Sequence, residues 1–384
     1  MKTTSLTLST YRPNFTDPRV LSRTTAVLEW CKPLRLQKKP KTVSSAELTK
    51  MFGNQKGQFA AYLRANLLAQ SGTYKPGQNS YSYSIKRDGY TKLASAIGLT
   101  VKGDAEVACE LYSGIASGLD RPEYSEPTKG ARRYHAVQNL PKKLRAEVFK
   151  GWYDYDIEAA APTLVYQLAC EIWSRHGFPN DKTPYPAVAR LVKDRTEVRK
   201  YFSDLTGLDP VTVKQVLIAL FFGSKLVPNK KRAIFRNLNQ DSEMVQRLKA
   251  DEYVRAFCRD VELMWLDVIN FDNAKKGMAV FRGESEPVKK PSTKAKHRMA
   301  IYLELERKVI DVVQSELSSQ GVVPVLIHDG FMTKGRIDKS GLEGVIEQKT
   351  GYRVRLSESK VGKQDENLKF ELSEDLMELS EQMF

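Results

Sequence analysis

Apolar and polar positions along the 384-residue chain fall into helical and strand periods that alternate from end to end. Ser44-Ser45-Ala46-Glu47-Leu48 reads as a capped helix start, and Gln58 to Gln70 keeps helical apolar spacing until Gly72. Tyr74 to Tyr90 alternates between Pro76-Gly77 and Asp88-Gly89, which predicts a hairpin. Trp152 to Ile157 predicts a strand carrying Asp154 and Asp156 on one face and aromatics on the other. The helix that follows has Pro162 in its first turn, an apolar stripe through Leu164, Leu168 and Ile172, and Gly177 at its end. A further helix is predicted within Leu208 to Lys225, capped by Asp209, opened by Pro210 and closed by Gly223. Phe235 to Met264 reads as one long helix and Ala300 to Leu317 as an amphipathic one. The β-branched run Val322 to Thr333 (VVPVLIHDGFMT) breaks at His328-Asp329-Gly330 and resumes at Phe331, predicting a hairpin with an exposed polar turn. From Ile337 the chain reads helix, strand Tyr352 to Leu356, and an acidic helix Glu371 to Met383.

A net charge of +15 adds an expected polyanionic partner to this α+β pattern. The four cysteines, Cys31, Cys109, Cys170 and Cys258, stand far apart without CxxC spacing. That argues against structural zinc and disulfides and suits a reducing cytosol. No apolar run has membrane-spanning length and the first residues lack a signal-peptide core, so a soluble, cytoplasmic protein is expected. Arg121 to Gly130 is the candidate domain boundary. Beyond it, Arg132, Arg133 and Tyr134 suit a phosphate-backbone contact or, equally, a solvated basic face. Lys275 to Arg298 reads as a basic loop that touches nucleic acid, or as a linker with no role.

Candidate chemistry rests on three stretches. Asp156 and Asp329 each end a strand, where a sheet fixes the direction of a carboxylate, and adjacent strand ends would let the pair bind two Mg²⁺ ions. Lys214, within the Leu208 to Lys225 helix, is placed to meet triphosphate oxygens, with Phe222 two turns on near the same face. Each stretch alone also has a plainer reading: a turn-forming Asp, a solvated strand end, a snorkelling Lys.

In order and content these stretches resemble the single-subunit RNA polymerase family of bacteriophages and mitochondria. The first palm motif of that family matches at Asp156. Its fingers pattern of Lys, seven residues, aromatic and Gly matches Lys214, Phe222 and Gly223, and its second palm motif, His-Asp-x-Phe, matches His328, Asp329 and Phe331. Thr128-Lys129-Gly130-Ala131-Arg132 is similar to a further element, with Ala131 replacing a glycine. Asp156 to Leu164 is also similar to the first motif of family B DNA polymerases, but the second motif of that family is absent.

The resemblance implies a right-hand polymerase fold with an antiparallel palm sheet, helical fingers and a reduced N-terminal region. It divides the chain into a thumb-like region 1–127, palm 128–200 and 300–384, and fingers 201–299. It implies DNA-templated RNA synthesis with two Mg²⁺ ions on Asp156 and Asp329, Lys214 neutralising the triphosphate, Phe222 and Gly223 at the incoming base pair, His328 near the growing end, and Arg132 with its neighbours Arg133 and Tyr134 on the template or hybrid. Ala161 stands where DNA-making relatives carry a Glu that collides with the ribose 2′-hydroxyl, which favours ribonucleotides. Phe222 stands where RNA polymerases usually carry Tyr, so weaker selection for ribose is expected. Pro210 occupies the place of a triphosphate-facing Arg, for which Arg199 or one of Lys230, Lys231 and Arg232 would substitute. A primer-making or DNA-synthesising polymerase of the same fold is the alternative. With 155 residues ahead of Asp156, the small heterodimeric phage enzymes are the nearest parallel. By that analogy the expected partners are single-stranded or melted DNA, the RNA product, nucleoside triphosphates, a second polymerase subunit and a single-stranded-DNA-binding protein, in an infected bacterial host cell and without a membrane.

Overall fold

Aspartate and serine caps and left-handed glycines set most element boundaries in the computed structural model, which describes residues 11–37, 41–53, 57–71, 80–125, 132–177, 183–230, 232–282 and 293–362. The predicted Pro76-Gly77 turn, Thr128 to Ala131, Lys231, the middle of the basic loop and the acidic C-terminal helix lie outside the described residues. The chain forms two compact units, Met1–Glu123 with His135–Gly151, and Tyr124–Tyr134 with Trp152–Phe384. Among the described residues no helix is long and apolar enough to cross a membrane.

The first unit contains α1 (Pro18–Arg35), β1 (Lys41–Ser44), α2 (Ser45–Phe52), α3 (Gln58–Leu67), β2 (Leu68–Ser71), β3 (Ser80–Ile85), α4 (Arg87–Ala96), α5 (Asp104–Leu111), α6 (Ser113–Ser117) and α7 (Lys142–Val148). The Ser44 hydroxyl accepts from Glu47 N, as the capping pattern predicts. Strand β3 is the centre of a three-stranded antiparallel sheet, pairing with both β1 and β2. This corrects two expectations. Leu68–Ser71 leaves the predicted helix because its backbone pairs with β3, and Asp88-Gly89 is not a turn but part of the first turn of α4.

The second unit contains β4 (Tyr153–Ile157), α8 (Ala160–Arg175), α9 (Pro186–Lys193), α10 (Arg195–Thr206), α11 (Pro210–Phe221), α12 (Ala233–Asn237), α13 (Ser242–Ala250), α14 (Glu252–Phe281), α15 (Lys294–Ser319), β5 (Val325–Ile327), β6 (Gly330–Thr333), α16 (Lys339–Thr350) and β7 (Leu356–Lys360). Its four strands make an antiparallel sheet in the order β5-β6-β4-β7. Helices bury the sheet around Tyr155, Phe202, Phe221, Phe257, Trp265, Tyr302 and Phe331. Tyr155 and Phe331 stack across the β4–β6 pair with centroids 5.1 Å apart.

The architecture is α+β, mostly helical, with two small antiparallel sheets. Three predicted elements take different bounds for local reasons. Phe235 to Met264 is not one helix. Asn239 and Gln240 adopt positive φ, and the side chains of Asp241 and Asp251 accept from the first amides of α13 and α14. The ends of the predicted basic loop are helical, since α14 extends to Phe281 and Thr293 caps α15 by accepting from Lys296 N. The last strand is Leu356–Lys360, where β4 offers a partner. Tyr352 and Val354 alternate because they are core, without pairing.

Candidate active site

Strand β4 and the β5–β6 hairpin bring the two predicted aspartates together. Asp156 faces Gly330 in the β4–β6 register, and Ile157 N donates to the Asp329 carbonyl at 3.3 Å. The expectation of adjacent strand ends therefore holds, and Gly330 explains how they come so close. A β-carbon at position 330 would lie 2.4 Å from the Tyr155 carbonyl oxygen and 3.3 Å from the Asp156 α-carbon. Glycine here permits close backbone approach. It does not supply a left-handed turn; His328 does, at φ 55. A two-residue hairpin loop needs such a residue to follow strand twist. Ala159, just past Asp156, is also left-handed (φ 47). Strained non-glycine backbone thus flanks both aspartates, as it often does at functional sites.

The predicted exposed turn is corrected: Asp329 is 6 % exposed. The sheet interior surrounds the hairpin on both faces, every residue of β5 and β6 being buried. Burial pushes the Asp329 carboxyl up to about 6, with the Glu306 charge adding to the rise and Arg132 and Lys214 opposing it. Burial and the neighbouring Asp329 charge also hold Asp156 well above the ordinary carboxylate range, against the pull of Lys214.

One pocket collects these groups. Asp156 and Asp329 line it together with Lys214 of α11 and Arg195 and Arg199 of α10. Ala160, Ala161 and Pro162 at the start of α8, with Leu217 and Ile218 of α11, give it apolar walls. Capping by Asp209, whose carboxylate accepts from Val211 N and Thr212 N, starts α11 so that Lys214 falls on the pocket side. Arg195 pairs with Glu158 at 3.0 Å.

The carboxylates fit a hard divalent cation. Asp329 Oδ1 is buried and receives no hydrogen bond among the described residues, which leaves an anionic oxygen in need of a cation. Among the described residues no group of three His, Cys, Asp or Glu side chains is placed to hold a metal. Two carboxylates completed by water and substrate phosphate suit Mg²⁺ better than zinc.

Other predicted site residues lie elsewhere. Phe222 is 2 % exposed and packs against Phe221, Trp265 and Tyr302; it does not line the pocket. Gly223 (φ 88) passes over the Arg298 guanidinium, which an added β-carbon would meet. That arginine is itself buried and donates to Glu262 at 2.6 Å. His328 sits partly buried in the hairpin turn. Arg132 is not displayed for a nucleic acid: it is buried and donates twice to Glu306, at 2.7 and 2.6 Å. Glu306 is 2 % exposed and belongs to this long-range pair. Arg133 pairs with Asp311 and donates to Gln314 on α15, and Tyr134 pairs its backbone with Ser125.

Sequence reasoning did not single out Arg195. Two arginines four residues apart after an Asp cap look like any solvated helix face, and only packing turns them inward. Comparison of the chain with known protein families finds no matching family model, and comparison with curated proteins finds no match.

Proposed function

We propose that the chain is the catalytic subunit of a minimal phage-type RNA polymerase with a right-hand fold, performing DNA-templated nucleotidyl transfer. The observation that carries this reading is the convergence of Asp156, Lys214 and Asp329, each from a separate stretch, on one pocket. Asp156 and Asp329 hold two Mg²⁺ ions. When bound, these ions lower the pKa of the attacking 3′-hydroxyl and offset charge on the phosphates. The 3′-hydroxyl gives up its proton to solvent water, its oxygen forms a bond to the α-phosphorus as the bond to the bridging oxygen breaks, and pyrophosphate leaves with that electron pair. The Lys214 ammonium, which lines the same pocket, neutralises the triphosphate and gives a proton to the departing oxygen.

Ala161 supports ribonucleotide use, because a small side chain in the pocket wall leaves room for a 2′-hydroxyl. One observation favours the DNA- or primer-synthesising alternative. Phe222 carries no hydroxyl and is buried in the core, so it does not select ribose. Imperfect sugar discrimination follows. The positive charge suits template and product strands, and a second subunit and a single-stranded-DNA-binding protein are the proposed partners.

Extension of a preformed primer on single-stranded DNA with Mg²⁺, comparing rNTPs with dNTPs, tests the reading. Ribonucleotide-dominated extension that Asp156→Asn abolishes is the expected result. Deoxynucleotide-dominated extension would transfer the assignment to the alternative, and extension undiminished in Asp156→Asn would overturn the two-metal site.

A further inference from the structure

Helix α14 keeps one face open among the described residues. Arg255, Cys258, Glu262, Leu266, Ile269 and Asn273 follow one another at steps of three and four residues, which makes them a single stripe along the helix. The first three line a cleft against Leu220, Leu248 and Val254, and the last four a second cleft against the start of α15. The two clefts meet at Glu262, which lines both. From Arg255 to Asn273 the stripe runs about 27 Å along the helix axis. Leu266 in its middle is 52 % exposed, with Leu263 on its flank 49 % exposed, an apolar patch of the kind that marks an interaction surface.

The rim of this face is cationic. Lys225, Lys249 and Arg255 are exposed at the first cleft and make no ion pair among the described residues. Lys294 stands at the second. The one acid on the stripe, Glu262, is neutralised by Arg298 at 2.6 Å and by Lys294 at 3.5 Å. Such a face complements an apolar ridge flanked by carboxylates. A phosphate backbone would match its charge but not its apolar middle.

The chain carries that ridge itself. The described residues end at Gly362, just past β7, and the sequence beyond predicts the acidic helix Glu371 to Met383. Leu372, Leu376, Leu379 and Met383 are spaced as one apolar stripe, and Glu371, Glu374, Asp375, Glu378 and Glu381 accompany it. No basic residue falls between Glu371 and Met383, in a chain of net charge +15. A helix of that length is about 20 Å long, which fits within the α14 stripe. The linker 363–371 spans up to roughly 30 Å when extended, beyond the ~18 Å radius of gyration expected for a unit of this size.

We propose that the acidic C-terminal segment of this chain docks on the open face of its own α14, with its leucines on the strip from Cys258 to Ile269 and its carboxylates beside Lys225, Lys249, Arg255 and Lys294. An amphipathic helix laid in an apolar groove is a recurrent recognition mode, in which a few side chains one turn apart act as anchors. The docking is independent of the reaction at the Asp156 pocket, so its failure would leave the polymerase reading untouched.

The test is fluorescence anisotropy of a labelled peptide of residues 363–384 titrated with the full chain. A tethered segment acts on its own face at an effective concentration on the order of millimolar, so wild type is already occupied and binds the peptide weakly. Leu372→Ser, Leu376→Ser and Leu379→Ser combined should vacate the face and bind the peptide at least tenfold tighter. Adding Leu266→Glu or Arg255→Glu, both at exposed positions, should then weaken the peptide at least tenfold. Lys92→Glu, an equal change of charge at an exposed position of the first unit, should leave it within twofold. Equal affinity for wild type and the vacated chain, or binding to neither, would overturn the docking. Indifference of the peptide to Leu266→Glu would overturn it too, by putting the segment elsewhere. Wild type that dimerises in sedimentation as concentration rises, and stays monomeric with the three leucine substitutions, would give the face to a second copy's segment and reject docking within one chain. A labelled single-stranded oligonucleotide that Leu266→Glu weakens, where the peptide does not bind, would give the face to nucleic acid.

Discussion

At Asp329 the fold works against the charged form that the proposed chemistry needs. An ordinary aspartyl carboxyl titrates near 3.9, whereas burial and the Glu306 charge lift this one to about 6. Between those two values the native state binds more protons than the unfolded chain, so this group's contribution to stability falls as pH rises. Above pH 6 the loss is complete and the ionised site costs roughly 1–3 kcal/mol. Asp329→Asn carries no such charge. It should therefore resist denaturant better than wild type at pH 7.5 in chelator, with the difference shrinking toward pH 4, while losing nucleotide incorporation. Equal stability of the two proteins at pH 7.5 would refute the cost assigned to this carboxylate.

At the scale of elements, α11 shows how a helix end redirects a side chain. Lys214 and Phe222 are eight residues apart, about 80° around an ideal helix, and so were expected to share a face. Helix α11 ends at Phe221, and the Trp265 indole holds that end by donating to the Phe221 carbonyl at 2.7 Å. Phe222 then drops between Trp265 and Tyr302 while Lys214 stays at the pocket. A Phe222→Tyr hydroxyl would enter an aromatic cluster with the cost of an unpaired buried polar group, about 1–3 kcal/mol. The expected outcome is a lower melting temperature with an unchanged rNTP-to-dNTP ratio in primer extension. A sharpened ribose preference would mean that the ring does reach the sugar.

Across the whole molecule, the segment Tyr124–Tyr134 belongs to the second unit although the residues on either side belong to the first. It braces the hairpin that carries Asp329. The Tyr124 hydroxyl accepts from Leu326 N at 2.8 Å, and Arg132 locks onto Glu306 of α15. Removing one partner of a buried ion pair typically costs about 3–5 kcal/mol, so Arg132→Ala should be strongly destabilised. If Arg132 touches no phosphate, DNA affinity of the folded variant should keep the salt dependence of wild type. Each lost phosphate contact would instead reduce the slope of log K against log salt by about 1.

The sequence by itself determined the alternation of β4 and the β5–β6 hairpin, the Asp209 cap and the place of Asp156 and Asp329 at strand ends, because strand period and capping are settled by residues a few positions apart; the β4–β6 pairing that brings the two aspartates together is a tertiary outcome. It also marked Lys214 correctly as a pocket residue. It could not show that Arg132 and Glu306 find each other, that Phe222 turns into the core, or that Arg199 rather than Lys230 or Arg232 faces the aspartates. Those outcomes depend on desolvation and on partners far away in the chain. An exposed arginine and a buried one look alike in sequence, and only tertiary packing decides which loses its water and which finds a counter-charge.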